Sequence, residues 1–295
     1  MELSLLTPFI VAAALTAVVA LVSLWTRRAR GGWGLTVAPL ILAGYAFAHW
    51  RMAGALSRPV DSASEFVLLS IMLGGLLLAA VELSERPQNV VRWLIRFGVA
   101  SFAIAMILSR YAEYYEWRRA ELVAIAMIVG AIVTVSQAAA LGIGRRHRGA
   151  VVLAILTGLG CASGAVFGLT GNAKVGMLLG VLAAALTPLV FVAHRMPPGA
   201  TRSVIVTAAF AFGMLWSWGV AGGETPVGMA ALLALSLFCG YFSSRLIEGR
   251  LSRRWAQVSV VVFATAAPPI AASVWAALDF LNEAESETDY SDYGY

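Results

Sequence analysis

From Leu5 to Phe280 the chain is a succession of apolar blocks, most of them ended by an arginine cluster or a short polar loop. A helix needs about 20 apolar residues to cross the roughly 30 Å hydrocarbon core, and only structures that close their own backbone hydrogen bonds persist there. On that ruler the pattern predicts about ten spans, at 5–25, 35–50, 66–83, 91–109, 121–141, 150–170, 175–194, 203–221, 226–244 and 256–280. The runs are continuous and do not alternate with period two, which argues against a membrane β-barrel. The expected fold class is therefore all-α, a polytopic transmembrane helix bundle forming one domain over residues 1–281. The second span is short, with Pro39 near its start and Tyr45, His49 and Trp50 forming an aromatic belt at its far end. The closing stretch, 282–295, is acidic and tyrosine-containing; it offers too little apolar area to offset ordering entropy and is expected to be disordered.

Composition sharpens this picture. Apolar residues make up 60% of the chain and charged ones 13%, with a mean hydropathy of +0.82, where globular domains carry roughly 25% charged residues. Nearly all of the chain is consumed by crossings and turns, so any activity must sit in the bundle or its loops. A net charge of +5 would suggest nucleic acid in a soluble protein. Here the arginines fall in loops between apolar runs, so membrane topology explains them and no nucleic-acid partner is expected. The first apolar block lacks the basic leader of a secretory signal, since Met1–Thr7 holds Glu2 and no Lys or Arg. Arg27, Arg28 and Arg30 follow it as a stop-transfer signal, so it reads as a retained helix.

Arginine placement gives direction. With the N-terminus outside, the inner loops hold Arg27, Arg28, Arg30, Arg86, Arg92, Arg145, Arg146, Arg148, Arg195, Arg202, Arg245, Arg250, Arg253 and Arg254. The outer loops hold Arg51, Arg58, Arg110, Arg118, Arg119 and Lys174. The positive-inside rule then places both termini on the non-cytoplasmic side of a bacterial cytoplasmic membrane. Two sets of five spans, divided at Arg145–Arg148, would be inverted relative to each other, the layout of many secondary transporters.

Local chemistry is sparse. Gly160, Gly164 and Gly168 recur every fourth residue, and after the turn Gly171-Asn172-Ala173-Lys174 the next helix presents Gly176, Gly180 and Ala184. Small residues at that spacing let helix backbones approach closely, so this hairpin is expected to be the tightest pair; a backbone-lined solute path is the alternative. The turn lacks the spacing and preceding strand of a phosphate loop. Pro268-Pro269 in the last span and Pro188 in the seventh break helices, and such breaks can line a transporter's substrate site. Arg96 lies inside a span near its inner end, four residues after Arg92, and is expected to pair with Glu82 of the neighbouring helix. Gln137, with Thr134 and Ser136, is the most polar feature within a helix, suited to an interhelical hydrogen bond or to solute coordination. The candidate substrate-binding residues are Gln137, Thr134, Asn172, Pro268 and Pro269.

The loop Arg110–Arg119 mixes aromatic and charged residues as the headgroup interface does. It could also form the lip of an outer pocket with His49, Arg51, Asp61 and Glu65. Three scattered histidines and the separated Cys161 and Cys239 give neither HExxH nor a metal-ligand cluster, and no GxSxG elbow is present. No metal, cofactor or enzymatic activity is expected. The segments Arg58-Pro59-Val60-Asp61-Ser62 and Gly168-Leu169-Thr170-Gly171-Asn172-Ala173-Lys174-Val175-Gly176, the arginine-flanked fourth span and Ala183-Ala184-Ala185-Leu186 resemble an uncharacterised bacterial multi-span membrane protein family, a likeness that implies no function. Length and the five-plus-five layout also resemble the drug/metabolite transporter superfamily, whose N-terminus lies in the cytoplasm, opposite to the orientation read here.

Two functions follow. One is a secondary transporter of a small, weakly charged or apolar solute, with the kinked helices and the glycine hairpin around a central cavity. The other is a non-transporting structural or assembly subunit of a membrane complex. A midplane cavity reaching Gln137 or the proline breaks would separate them. A membrane enzyme with its site around His49, Asp61 and Arg110 would require those loops to converge.

Overall fold

The computed structural model describes residues 3–25, 33–53, 62–84, 88–248, 250–251 and 253–291. Arg27, Arg28, Arg30, Arg58, Pro59, Val60, Asp61 and Arg86 lie outside the described residues, as do positions 292–295. The α-helices are α1 (Leu3–Trp25), α2 (Trp33–Ala53), α3 (Ala63–Leu83), α4 (Asn89–Leu108), α5 (Arg119–Arg146), α6 (Gly149–Leu169), α7 (Ala173–Val192), α8 (Pro198–Ala221), α9 (Val227–Leu246) and α10 (Arg254–Ser291), with a short 3-10 turn at Ala193–Arg195. No strand occurs among the described residues. Among the described residues eight helices, α3 to α10, are long and apolar enough to cross a membrane, and α1 adds a shorter apolar stretch, Thr7–Val18. This is a multi-pass, all-α membrane protein.

Several boundaries differ from expectation: α5 continues past 141 to Arg146, and α8 begins at Pro198 where 203 is expected. α2 runs for 21 residues and absorbs Pro39. α10 does not stop at Phe280 but continues to Ser291, through most of the stretch expected to be disordered. No glycine or proline interrupts it between Ile270 and Ser291, and extending a helix that is already formed avoids the cost of nucleation.

α8 is the centre of the bundle. It is buried along nearly all its length and touches α2, α3, α4, α5, α6, α7 and, more lightly, α9. Its sequence explains the place: Ala208, Ala209, Ala211 and Gly213 alternate with Phe210, Phe212 and Trp216, so no face is polar. α1 lies against α7 and α2, and α10 against α9 and α6. One end of the bundle carries the Arg110–Arg118 loop and is termed the aromatic end. The other carries Arg92, Arg145, Arg148 and Arg195 and is termed the arginine end.

Two sequence features set the packing. At the arginine end, Nε of Arg96 on α4 donates to Oε1 of Glu82 on α3 at 3.1 Å, and its Nη2 donates to the same oxygen. Both residues are buried, so Arg96 does not reach out to the headgroups. Arg92, one turn earlier, donates to the Ser84 carbonyl at 2.6 Å, satisfying an end carbonyl of α3. Between α6 and α7 the glycine groove is closed: a Cβ on Gly176 would sit 2.7 Å from the Gly164 carbonyl oxygen and 2.9 Å from the Gly168 nitrogen. Gly160 faces both Ala183 of α7 and the Phe212 ring, each 3.0 Å from where a Cβ would sit, and Gly180 makes room for the Phe9 ring.

Candidate functional site

α8 and α9 are joined by a short loop, yet α9 packs mainly on α10 and α5. The gap is a cavity of about 460 Å³ bounded by α5, α8 and α9. Its α9 wall carries Ala230, Ala231 and Ala234 between Val227 and Leu237, and its α8 wall includes Ala209 and Gly213. These small side chains leave the space. The aromatic side chains beside them do not fill it, because each is held elsewhere. Trp216 turns its indole N–H to Ser163 Oγ on α6 at 3.1 Å and stacks on Phe212, centroids 6.1 Å apart. Gly213 admits α5 at close range, since a Cβ there would lie 2.5 Å from Val133 Cγ2.

At the aromatic end the cavity is roofed by the α4–α5 loop. Tyr115 and Trp117 line it, their rings stacked with centroids 5.0 Å apart. The Tyr115 hydroxyl donates to the Ala221 carbonyl at 3.1 Å, tying this loop to the end of α8. Tyr111 Oη accepts from Trp218 Nε1 at 3.0 Å, and burial is the main force holding the Tyr111 phenol above its ordinary pKa. Glu116 takes a left-handed backbone conformation, φ 53°, at the turn of this loop. The segment read as a headgroup belt is thus also a roof.

The walls offer little polarity. Ser217 Oγ is spent on its own helix, donating to the Gly213 carbonyl at 2.7 Å. Ser136 Oγ, at the inner limit, is buried with no partner. Among the lining residues there is no His, Cys, Asp, Glu, Lys or Arg.

A second cavity, about 790 Å³, opens from the arginine end. It is lined by Leu141, Gly144 and Arg145 of α5, Arg148 and Gly149 of the α5–α6 junction, and Pro198, Thr201, Arg202 and Ile205 of α8, with His194 and its neighbours. The two cavities lie on one seam. On α5 the first ends at Ser136 and the second begins at Leu141; on α8 they end at Ala209 and Ile205. At 1.5 Å per residue this leaves a septum about 6 Å thick, one helical turn.

Gln137 stands in that turn. It lies four residues after Val133, whose side chain abuts Gly213, so the two share a face of α5. It is fully buried, and neither its amide oxygen nor its nitrogen has a hydrogen-bond partner. A buried amide left unpaired costs about 1–3 kcal/mol. Replacing Gln137 with the similarly shaped Met is therefore expected to raise thermal stability in detergent micelles, whereas a loss would show that the amide is a structural link.

The other residues singled out from sequence do not join this site. Thr134 donates to the Gly130 carbonyl of its own helix at 2.7 Å. Asn172 caps α7, its Oδ1 accepting from the Val175 nitrogen, and its Nδ2 donates to the Gly219 carbonyl, both at 3.4 Å. Pro268 and Pro269 are buried in α10 and line neither cavity. The glycine hairpin also lines neither cavity, and its tight seam leaves no path. His49 is buried and its Nε2 donates to the Ser64 carbonyl at 2.9 Å, joining α2 to the start of α3. Glu65 closes the α3 capping box by accepting from Ser62 N at 3.0 Å. Arg110 lies over the Phe66 ring at 4.5 Å. These loops do meet, but Glu65 is occupied with the cap, and Asp61 falls outside the described residues.

Sequence reasoning missed the alanine wall of α9 and the basic cavity. The available signal was the stretch Met229-Ala230-Ala231-Leu232-Leu233-Ala234, small on one side, following the aromatic-rich α8. Among the described residues no group of His, Cys, Asp and Glu is placed to hold a metal. No protein-family model, curated protein or solved structure matches this chain.

Proposed function

We propose that this chain is a secondary transporter of a small apolar or weakly charged solute, carried along the α5–α8 seam. The observation behind this reading is the pair of cavities, one under the aromatic roof and one at the arginine end, that stop one turn apart at Gln137. A solute site closed at one face and opened at the other needs such a septum. Apolar walls of about 460 Å³ suit recognition by contact area, and the wall side chains provide no nucleophile–base pair for catalysis. In this reading the arginine end faces the cytoplasm of a bacterial cell and the aromatic roof faces outside, as the positive-inside rule favours, with ten spans and both termini external. The α1–α2 and α6–α7 hairpins, the α4–α5 and α9–α10 pairs and the central α3–α8 contact fit a five-plus-five repeat. The α6–α10 contact has no comparable α1–α5 counterpart, so the halves have diverged.

Cysteine accessibility tests the proposal. In a background with Cys161 and Cys239 replaced by alanine, Ser136→Cys is exposed in turn to a membrane-impermeant thiol reagent in right-side-out and inside-out vesicles. A transporter presents this position to both sides, so labelling in both orientations is expected. Labelling from one side alone, or from neither, describes a static bundle, and the assembly-subunit reading then takes its place.

A further inference from the structure

The cavity at the arginine end has its own chemistry. Arg145 comes from the last turn of α5, Arg148 from the α5–α6 junction and Arg202 from the first turns of α8. Three arginines from separate segments thus border one concave space, and among the described residues no acidic side chain lines it. Among the described residues none of the three has an ion-pair partner. The neighbouring arginines are engaged elsewhere. Arg146 pairs with Glu248 at 3.0 Å and lies over the Tyr241 ring, and Arg195 Nε donates to His194 Nε2 at 3.2 Å. The other ring nitrogen of His194, Nδ1, lies 3.0 Å from the Phe191 carbonyl oxygen, so both its nitrogens are engaged.

Cations that border one cavity without counter-charges repel one another and gain from an anion placed among them. Arg202 shows the need most directly, because its Nε is buried and has no hydrogen-bond partner. The backbone adds to the field. Gly149 and Pro198, the first residues of α6 and α8, both line the cavity, so two helix N-termini direct partial positive charge toward it. Guanidinium forks match the oxygen geometry of phosphate, and basic pockets between transmembrane helices at the cytoplasmic surface hold anionic headgroups.

We infer that the Arg145–Arg148–Arg202 cavity is a binding site for a phosphate group, carried by an anionic lipid headgroup or free in solution. This site stands whether or not the seam carries solute. The site is tested by titrating purified protein in neutral detergent with dihexanoyl phosphatidylglycerol and, separately, with inorganic phosphate. Saturable binding of at least one is expected, weakened at least tenfold in Arg148→Gln/Arg202→Gln. The pair Arg250→Gln/Arg253→Gln removes the same charge from the same end outside the cavity and is expected to change affinity less than twofold. Binding of the lipid alone identifies a headgroup site, and competition between the two ligands identifies a site for the phosphate itself. Arg148→Lys/Arg202→Lys, which keeps the charge but loses the planar fork, serves if the glutamine pair does not fold, and is expected to bind with intermediate affinity. Absence of saturable binding by either ligand overturns the inference, and so does equal weakening by the two glutamine pairs.

Discussion

Glu82→Ala is expected to destabilise the protein by about 3–5 kcal/mol, the cost of removing one partner from a buried ion pair. Arg96 would keep its charge with no acceptor, in a position where both residues are almost entirely covered. Solvent can reduce that cost only if the Arg96 side chain swings out past the end of α4 to the headgroups. Its neighbour Arg92 already holds the near side of that path through the Ser84 carbonyl. The penalty is therefore expected to stay within the stated range. The double variant Glu82→Ala/Arg96→Leu should recover most of the loss, because paired charges contribute little beyond their desolvation cost and an orphaned charge contributes none of the return. Unfolding in mixed detergent and SDS micelles measures both. A single variant within 1 kcal/mol of the parent would show that Arg96 finds other solvation.

This pair was legible in the sequence because both residues are rare: ionisable groups near the end of an apolar span have few partners to choose from. Helix class and the close α6–α7 approach were legible for a similar reason, since period and small-residue spacing are local properties of one or two segments. The site was not. Attention falls on glycines and prolines in the sixth, seventh and tenth spans, whereas the first cavity arises because α8 and α9 barely touch beside α5. Failure to touch is set by all three helices together, and the alanines that produce it are ordinary in any membrane helix. Gln137 is the one residue that reads both ways. Its polarity marked it from the sequence, but its lack of partners depends on the neighbours that bury it. Asn172 shows the converse, since a turn asparagine reads equally as ligand or cap, and here it is a cap.

The glycine motif separates sequence from structure more sharply still. Gly164, Gly168 and Gly176 look equivalent by spacing, yet their surroundings predict opposite outcomes. A side chain on Gly176 meets the Gly164 carbonyl oxygen and the Gly168 nitrogen at 2.7 and 2.9 Å. Both obstacles are backbone, so no rotamer change relieves the clash; α6 and α7 must part. Overpacking a well-filled interface costs about 1–3 kcal/mol when side chains can yield, and Gly176→Val is expected at or above the upper end of that range. Parting the helices also forfeits the close approach of Gly164 to Gly176 and Gly180. A Cβ on Gly168, by contrast, finds nothing within 4 Å. Gly168→Ala is expected to be neutral or stabilising by up to about 1 kcal/mol, because alanine favours the helix over glycine. Melting of the two variants side by side in the same micelles checks this. Equal losses from both would mean that the interface responds to glycine content alone, and the backbone contact at Gly176 would then not be what holds α6 against α7.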